Sequence, residues 1–266
     1  MNMQLKKLLL IAALIFLTGI LKSRANVLVM NGLTHENQLS PGEKSTDRIQ
    51  LQNASGQVKS VKIYQTDYWF SYKGESFYDK PGTIKRSNAA WITVSQLFVT
   101  LQPNEIKDIE FEVRVPQNDS LTGSFWSVIM VEGMAPIDTS ASKQRITINT
   151  VLRYAIQVVT SIGNTGTRNL EFLNFGLGKE EGTTYFEADI ENTGERMLRP
   201  EVGLELFDKN GVSQGVKKVE PKRIYPGTSV KMKVPLDGIV PGGYTGVLVA
   251  DCNDDYIFGS NVNLEL

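Results

Sequence analysis

Apolar and polar residues alternate along most of the chain after residue 25. In the stretch 109–115 every second position is apolar and the positions between are charged, and 230–234 repeats this pattern with lysines. Because successive side chains of a strand point to opposite faces, the alternation predicts strands with one buried face. Periodicity of the helical kind is almost absent. The sequence therefore predicts a nearly all-β chain.

The predicted strands are bounded by Gly, Pro, Asn and Asp. They occupy residues 27–33, 46–53, 58–70, 91–94, 109–115, 123–132, 144–159, 170–177, 183–192, 201–208, 230–234, 244–252 and 256–264. Strands of this length and spacing, separated by turn residues, are typical of β-sandwiches.

One order of features occurs twice along the chain. In 103–131 and again in 226–250, a turn precedes a charged alternating strand that ends in Val-Pro, and glycine then precedes an apolar strand. Repeating units of roughly 110 to 120 residues have the size of immunoglobulin-like sandwiches. We therefore predict two such domains in tandem, at 26–160 and 161–266. The polar stretch 133–142 and the stretch 163–166 are alternative positions for the linker.

The first 25 residues have the features of a secretory signal peptide. Lys6 and Lys7 precede an apolar run over 8–21, and Ser23 and Ala25 are small residues at the positions that signal peptidase recognises. The apolar run is shorter than the roughly 20 residues that span a bilayer. We predict cleavage after Ala25, a periplasmic or secreted mature protein, and no stable membrane span in it.

Composition limits the possible functions. The chain has 28 basic and 29 acidic residues, and removing residues 1–25 leaves 24 basic residues against the same 29 acidic ones. Without a basic excess, nucleic acid is not an expected partner. The single Cys and single His exclude an internal disulfide and clusters of Cys and His ligands. We predict no enzyme activity, no cofactor and no metal site, because no catalytic constellation is present.

The lone His and lone Cys have simple structural interpretations. His35 lies in a polar stretch without a partner pattern, so it is predicted to be a surface residue. Cys252 ends an apolar strand and is predicted to be a small buried hydrophobe rather than a reactive thiol.

Three features resemble a known family. They are "LSPGEKSTDRIQLQNAS" at 39–55, "WITVSQLFVTLQPNEIKDIEFEVRVP" at 91–116 and a long alternating strand that leads out of the first domain. Together they resemble the periplasmic pilus-assembly chaperones of PapD type. That resemblance implies that a strand of the first domain donates alternating apolar side chains to an incomplete pilus subunit. It also implies that two basic residues in the cleft between the domains hold the C-terminal carboxylate of the subunit.

The resemblance assigns these roles to residues of the segment "RITINTVLRYAIQV". The subunit-binding strand would use the side chains of one face, namely Ile146, Ile148, Thr150 and Leu152. Arg153 would be the carboxylate anchor in the cleft, for which its bidentate guanidinium is well suited. The family's other basic residue has no match in 26–33, which leaves Lys44 and Arg48 as candidates.

The chain is also similar to the two-domain extracellular proteins of the WxL-associated group, whose N-terminal sandwich is assigned to peptidoglycan binding. That similarity lies in "VPQNDSLTGSFWSVIMVE" at 115–132. Aromatic residues are concentrated between residues 64 and 78, and Tyr68, Trp69 and Tyr72 are candidates for a glycan-binding or protein-binding platform. The alternative is a strand covered on both faces, followed by a hairpin over the sandwich.

The sequence thus leaves two functions open, both non-enzymatic. The first is a periplasmic chaperone for pilus or surface-structure subunits that acts by β-strand donation. The alternative is a secreted cell-envelope module that binds peptidoglycan, glycan or another surface protein.

Overall fold

The computed structural model describes residues 27–134, 151–253 and 256–266. The protein is all-β and forms two immunoglobulin-like β-sandwiches in tandem. The strands of the first sandwich are β1 (Val27–Val29), β2 (Thr34–Leu39), β3 (Lys44–Asn53), β4 (Lys59–Phe70), β5 (Ser76–Asp79), β6 (Ile92–Val94), β7 (Phe98–Leu101), β8 (Ile106–Arg114), β9 (Gly123–Gly133) and β10 (Arg153–Ile162). The strands of the second are β11 (Leu170–Glu180), β12 (Thr183–Asn192), β13 (Glu201–Phe207), β14 (Ser213–Val219), β15 (Ser229–Pro235), β16 (Gly243–Asp251) and β17 (Ile257–Glu265).

The first two strands of the chain, β1 and β2, belong to different sheets of the first sandwich. One sheet has the order β1-β3-β8-β6, and the other has the order β2-β10-β9-β4-β5, with β7 also paired to β4. The chain passes from β1 in one sheet to β2 in the other through Gly32, whose φ of 91° favours glycine. In its new sheet β2 runs parallel to β10, with Thr34 opposite Gln157.

Alternating side chains from both sheets fill the first core. The charged strand β8 directs Ile109, Phe111 and Val113 inward, and β9 and β10 contribute residues such as Ile129 and Val158. The strand-like alternation therefore corresponds to burial of one face, as predicted for 109–115.

The second sandwich has a simpler plan. A sheet of order β11-β12-β15 packs on a sheet of order β14-β13-β16-β17, and Phe186, Leu204 and Met232 are among the buried residues. Strands β11 and β12 are joined by a tight turn in which Glu181 and Gly182 both have positive φ.

Each sandwich has a buried asparagine at the end of a long strand, Asn53 in β3 and Asn192 in β12. Asn53 donates its side-chain amide to the carbonyls of Gln57, Leu101 and Gln102, and Asn192 donates to those of Arg196 and Ile224. In both cases the side-chain oxygen accepts a backbone N–H two residues on. The asparagines thus satisfy carbonyls that the sheet ladders leave unpaired, three for Asn53 and two for Asn192.

The structure corrects two predictions near the start of the chain. Of the strand predicted over 27–33, only residues 27–29 form a strand, β1, and the unpredicted strand β2 that follows belongs to the other sheet. His35 is not a surface residue, since it is only 8% exposed. Its Nδ1 lies 2.6 Å from a carboxylate oxygen of Asp47, and its ring packs edge-on against Phe111. The reason is that β2 crosses to the second sheet and directs His35 into the sandwich.

Three further strands were absent from the predicted set, namely β5, β7 and β14. Trp126 is buried, and residues 180–182 form the turn that joins β11 to β12. Cys252 is half-buried and packs against the second core.

Candidate functional site

One face of the larger first-domain sheet faces the second domain. We call it the cleft face, and it consists of the outward side chains of β4, β9 and β10. At one end of this face, Trp126 and Val159 pack against Tyr225 of the second domain. From that end the side chains run in register rows along the strands to Arg153, about 20 Å away at 3.3 Å per residue. The cleft face is therefore one wall of the interdomain cleft.

A connected series of aromatic rings fixes the joint between the domains. Tyr225 stacks on Trp126 with ring centroids 4.7 Å apart and contacts Phe70 at 6.0 Å. Phe70 in turn contacts Tyr68, which stacks on Tyr78. The Tyr225 hydroxyl donates to the side-chain oxygen of Gln157 on β10. Burial raises the pKa of Tyr225, so its hydroxyl stays protonated as a donor.

Polar contacts reinforce the joint. Glu195 accepts a main-chain bond from Ser124 at 2.8 Å, and its carboxylate pairs with Arg86 at 3.0 Å. Gly123 is required here, because a Cβ at that position would lie 2.2 Å from the Glu195 carbonyl oxygen. On the β2 side of the joint, Arg223 of the second domain pairs with Glu36 of β2 at 2.7 Å. These contacts hold the two domains in a defined arrangement.

One edge of β10 is paired with β9 along its whole length, whereas the other edge is paired with β2 along only part of it. The ladder with β2 begins at Gln157, whose N–H donates to the Leu33 carbonyl, whereas residues 153–156 pair with β9 alone among the described strands. Hydrogen bonding alternates along a strand, and Leu152 bonds to β9 through its carbonyl. The main-chain N–H and C=O groups of Arg153 and Ala155 therefore point to the open edge.

A charged cluster lies on the cleft face beside this open edge. The Arg153 guanidinium contacts both carboxylate oxygens of Glu132, with Nε–Oε2 at 3.0 Å and Nη2–Oε1 at 3.3 Å. The Tyr64 hydroxyl donates to the same carboxylate at 2.7 Å, and Lys62 lies over the Tyr64 ring. The hydrogen bond from Tyr64 is the main cause that holds the pKa of Glu132 below its usual value. Burial is the main cause that raises the pKa of Tyr64.

Large apolar side chains surround the charged cluster and are exposed. Phe98 is opposite Lys62 in the register of β7 and β4. Met134 directly follows β9, and Val151 lies two residues before β10. Exposed apolar groups beside an open strand edge are a common property of surfaces that accept another strand.

The structure describes some of the predicted site residues. Ile146, Ile148 and Thr150 lie outside the described residues. Leu152 is described and is 40% exposed at the open edge. The Arg153 side chain is 59% exposed and lies on the cleft face.

The two candidates for a second basic anchor lie elsewhere. Lys44 pairs with Glu112 and Arg48 with Asp108, on the outer face of the sheet that contains β3 and β8. The structure therefore does not bring either residue to Arg153.

The candidate aromatic platform lies at the joint. Tyr68 belongs to the ring series described above, and Trp69 donates its indole N–H to the Gly227 carbonyl at 3.0 Å. The main-chain N–H of Tyr72 donates to the Ser229 hydroxyl of the second domain. These residues connect the β4–β5 hairpin to the second domain, and a role for them in binding glycan stays a prediction.

Two residues of the cluster, Glu132 and Tyr64, were not predicted from the sequence. Their importance depends on the register of β4, β9 and β10, which brings them to Arg153. Alternation in 123–132 was the available signal, because it places Glu132 on the face opposite to Val131.

Within residues 27–134, 151–253 and 256–266, no group of three or more His, Cys, Asp or Glu side chains is placed to hold a metal ion. The same residues contain no helix that is long and apolar enough to cross a bilayer.

Comparison with known proteins gives structural neighbours only. No protein-family model and no curated protein matches the chain. The chain is similar to a chain of the chaperone–tip adhesin complex of CFA/I fimbriae, with 15% identity, a TM-score of 0.49, and coverage of 90% of this chain and 98% of the other. It is similar to the class 5 fimbriae chaperone CfaA, with 11% identity, a TM-score of 0.49, and coverage of 89% and 98%. It is also similar to a chain of the CsuC–CsuE chaperone–tip adhesion subunit complex of Acinetobacter baumannii, with 12% identity, a TM-score of 0.44, and coverage of 90% of this chain and 98% of the other.

Proposed function

We propose that this protein is an exported, non-enzymatic chaperone for subunits of pili or other surface structures, and that it acts by β-strand donation from β10. The observation that carries the proposal is the open edge at residues 153–156, beside a cleft face that ends at the interdomain joint. Main-chain groups of Arg153 and Ala155 would supply the hydrogen bonds to a partner strand. The unpaired ladder is thus the main source of affinity.

The surroundings of the edge suit a partner that is an incomplete sandwich. Such a partner lacks a strand, so it presents both an unpaired edge and an exposed apolar core. The exposed side chain of Leu152, and those of Val151 and Met134 beside the charged cluster, would cover part of that core. In this proposal the segment before Leu152, with Ile146, Ile148 and Thr150, extends the donated strand. Arg153 contributes a cation at its end.

A proline substitution tests strand donation. Ala155→Pro removes a main-chain N–H that points to the open edge, without removing a bond to β9. Asn261→Pro is the matched control, because Asn261 is exposed on β17 and its N–H points away from β16, the only strand paired with β17 among those described. Wild type and both variants are used as bait in the native envelope, and the captured exported subunits are quantified.

We expect the Asn261→Pro protein to recover a subunit as well as wild type does. Recovery by the Ala155→Pro protein should fall about tenfold, which corresponds to the loss of one hydrogen bond and some added strain. Equal recovery by all three proteins would show that the open edge of β10 is not the binding site.

The export part of the proposal has its own test. Removal of the segment 1–25 would leave Asn26 as the first residue. N-terminal sequencing of the protein purified from the envelope should give Asn26, whereas Met1 would contradict cleavage.

A further inference from the structure

The guanidinium of Arg153 is already occupied by a carboxylate of the same chain. Arg153 and Glu132 are directly opposite each other in the register of β10 and β9. Their two contacts, at 3.0 and 3.3 Å, form a bidentate pair of the kind that an arginine would make with a bound carboxylate. A partner's carboxylate would therefore have to compete with Glu132 for Arg153.

Glu132 is held from both sides. Besides Arg153 on β10, the Tyr64 hydroxyl on β4 donates to it at 2.7 Å, and only 23% of the Glu132 side chain is exposed. Lys62 is directly opposite Glu132 in the register of β4 and β9, yet its ammonium lies over the Tyr64 ring, 4.7 Å from the centroid. The row thus contains two cations and one anion. Removing the anion would leave a site with two positive charges beside the open edge.

We propose that Glu132 is an internal substitute for a partner's carboxylate and so determines how strongly this site selects acidic strands. Glu132 occupies Arg153 in the unbound protein, and a carboxylate delivered by a strand paired along β10 exchanges with it. The displaced Glu132 keeps its bond from Tyr64 and has Lys62 as its neighbour. This inference rests on the proposed strand donation, because the strand delivers the carboxylate.

The exchange has a clear consequence for specificity. One carboxylate replaces another on Arg153, so the net gain from a partner's acidic group is small in the wild-type protein. The protein then accepts acidic and neutral strands with similar affinity, and pairing along the edge dominates binding. Substituting glutamine at 132 keeps the shape and the acceptor for Tyr64 but removes the competing charge.

The experiment uses the full chain without its leader and three short synthetic peptides of alternating Val and Thr. One peptide has a free C-terminal carboxylate, one has a C-terminal amide, and one has the amide and a single Asp side chain. Affinities are measured for wild type, Glu132→Gln and the control Glu112→Gln. Glu112 is a matched control because it is held by Lys44 and Arg114 on the opposite sheet. Protection of the Ala155 amide from hydrogen exchange reports strand pairing separately.

We expect wild type and Glu112→Gln to bind all three peptides within about twofold of one another. For Glu132→Gln, at least one of the two acidic peptides should bind about fivefold more tightly than the neutral one. The acidic peptide that gains identifies the source as a chain terminus or a side chain. If neither gains, the inference is overturned. If Glu132→Gln does not fold, Glu132→Thr makes the same change of charge and the same criterion applies.

The two proposals fail in different ways. If no peptide protects the Ala155 amide in any of the proteins, strand donation itself is contradicted. If the peptides protect Ala155 but Glu132→Gln does not distinguish acid from amide, strand donation stands and only the role of Glu132 is rejected.

Discussion

The last strands of the two sandwiches are equivalent in position but differ at their edges. Both β10 and β17 pair antiparallel with the long apolar strand that precedes them, β9 and β16 respectively. Strand β2 crosses from the opposite sheet and covers the second half of β10 from Gln157 onward. Among the described strands none does this for β17, because β11 stays in its own sheet with β12.

The difference indicates which edge is suited to a partner. From Asn261 onward the exposed side chains of β17 are Asn261, Asn263 and Glu265, polar residues of the kind that discourage pairing at a strand edge, and its exposed apolar residue Ile257 lies at the other end. The open part of β10 is instead flanked by the exposed apolar residues Val151 and Leu152. It also ends at a fixed point, where β2 begins. A single crossing strand thus leaves one of two similar edges with an open part of limited length, and this is the part that we propose for strand donation.

The largest expected effect comes from breaking the joint between the two domains, where Tyr225 packs on Trp126. Tyr225→Ala should lower the free energy of unfolding by about 4 kcal/mol, because a fully buried ring stacked on Trp126 is lost. Urea denaturation measures the change. Tyr225→Phe is the control, since it keeps the ring and loses only the bond to Gln157, at a cost of about 1 kcal/mol. Equal effects of the two substitutions would contradict a joint held mainly by ring packing.

The two buried asparagines test how similar the sandwiches are. Asn53→Ala and Asn192→Ala should each lower the free energy of unfolding by about 2 kcal/mol, because buried carbonyls lose their donor. Denaturation of the two variants under identical conditions gives the comparison. A large effect in one domain with none in the other would show that the shared turn has different energetic roles.

Hydrogen exchange locates the point at which the edge of β10 opens. The Gln157 amide donates to Leu33, whereas the Ala155 amide has no ladder partner among the described strands. We expect Ala155 to exchange about fivefold faster or more, since one hydrogen bond contributes about 1 kcal/mol to protection. Comparable protection of both amides in the unbound protein would mean that the open edge is already covered.

The smallest effect concerns two carboxylates of the first domain, Glu132 and Glu112, each of which accepts from two side chains. Hydrogen bonds lower the pKa of Glu132, mainly from Tyr64, and that of Glu112, mainly from Lys44. A lowered pKa in the folded state adds stability above the unfolded value of about 4.3, and this is lost as the pH falls through the folded pKa. NMR titration should show that Tyr64→Phe raises the pKa of Glu132 and leaves that of Glu112 unchanged. A shift of both would indicate a general structural change.

Much of the fold follows from alternation, because strands with one buried face carry a strong signal. The stretches 109–115 and 230–234 correspond to β8 and β15. Strand β2 carries no such signal, since the residues it directs inward include His35 and Asn37 rather than apolar ones. Strand β5 is exposed throughout, so burial leaves no pattern in its sequence. Edge strands of this kind depend on tertiary pairing, which local sequence does not encode.

The candidate site was predictable only in part, for a similar reason. Arg153 was identified through resemblance, and the structure places it at the open edge on the cleft face. Its partners come from positions 21 and 89 residues earlier in the chain, and only the register of three strands brings Glu132 and Tyr64 to it. A pattern of alternation gives the face of a side chain but not its neighbour on the next strand.

The crossing of β1 and β2 between the sheets also affects the order in which the chain can fold. Strand β2 pairs with β10, about 120 residues later in the sequence, so the first domain has a contact between its second strand and its last one. In a chain that is made from its N-terminus onward, residues 34–39 cannot form this ladder until β10 has been made. Completion of the first sandwich is therefore tied to the same strand that we propose for the partner. The open edge of β10 that we propose for docking therefore exists only after the whole first domain has been made.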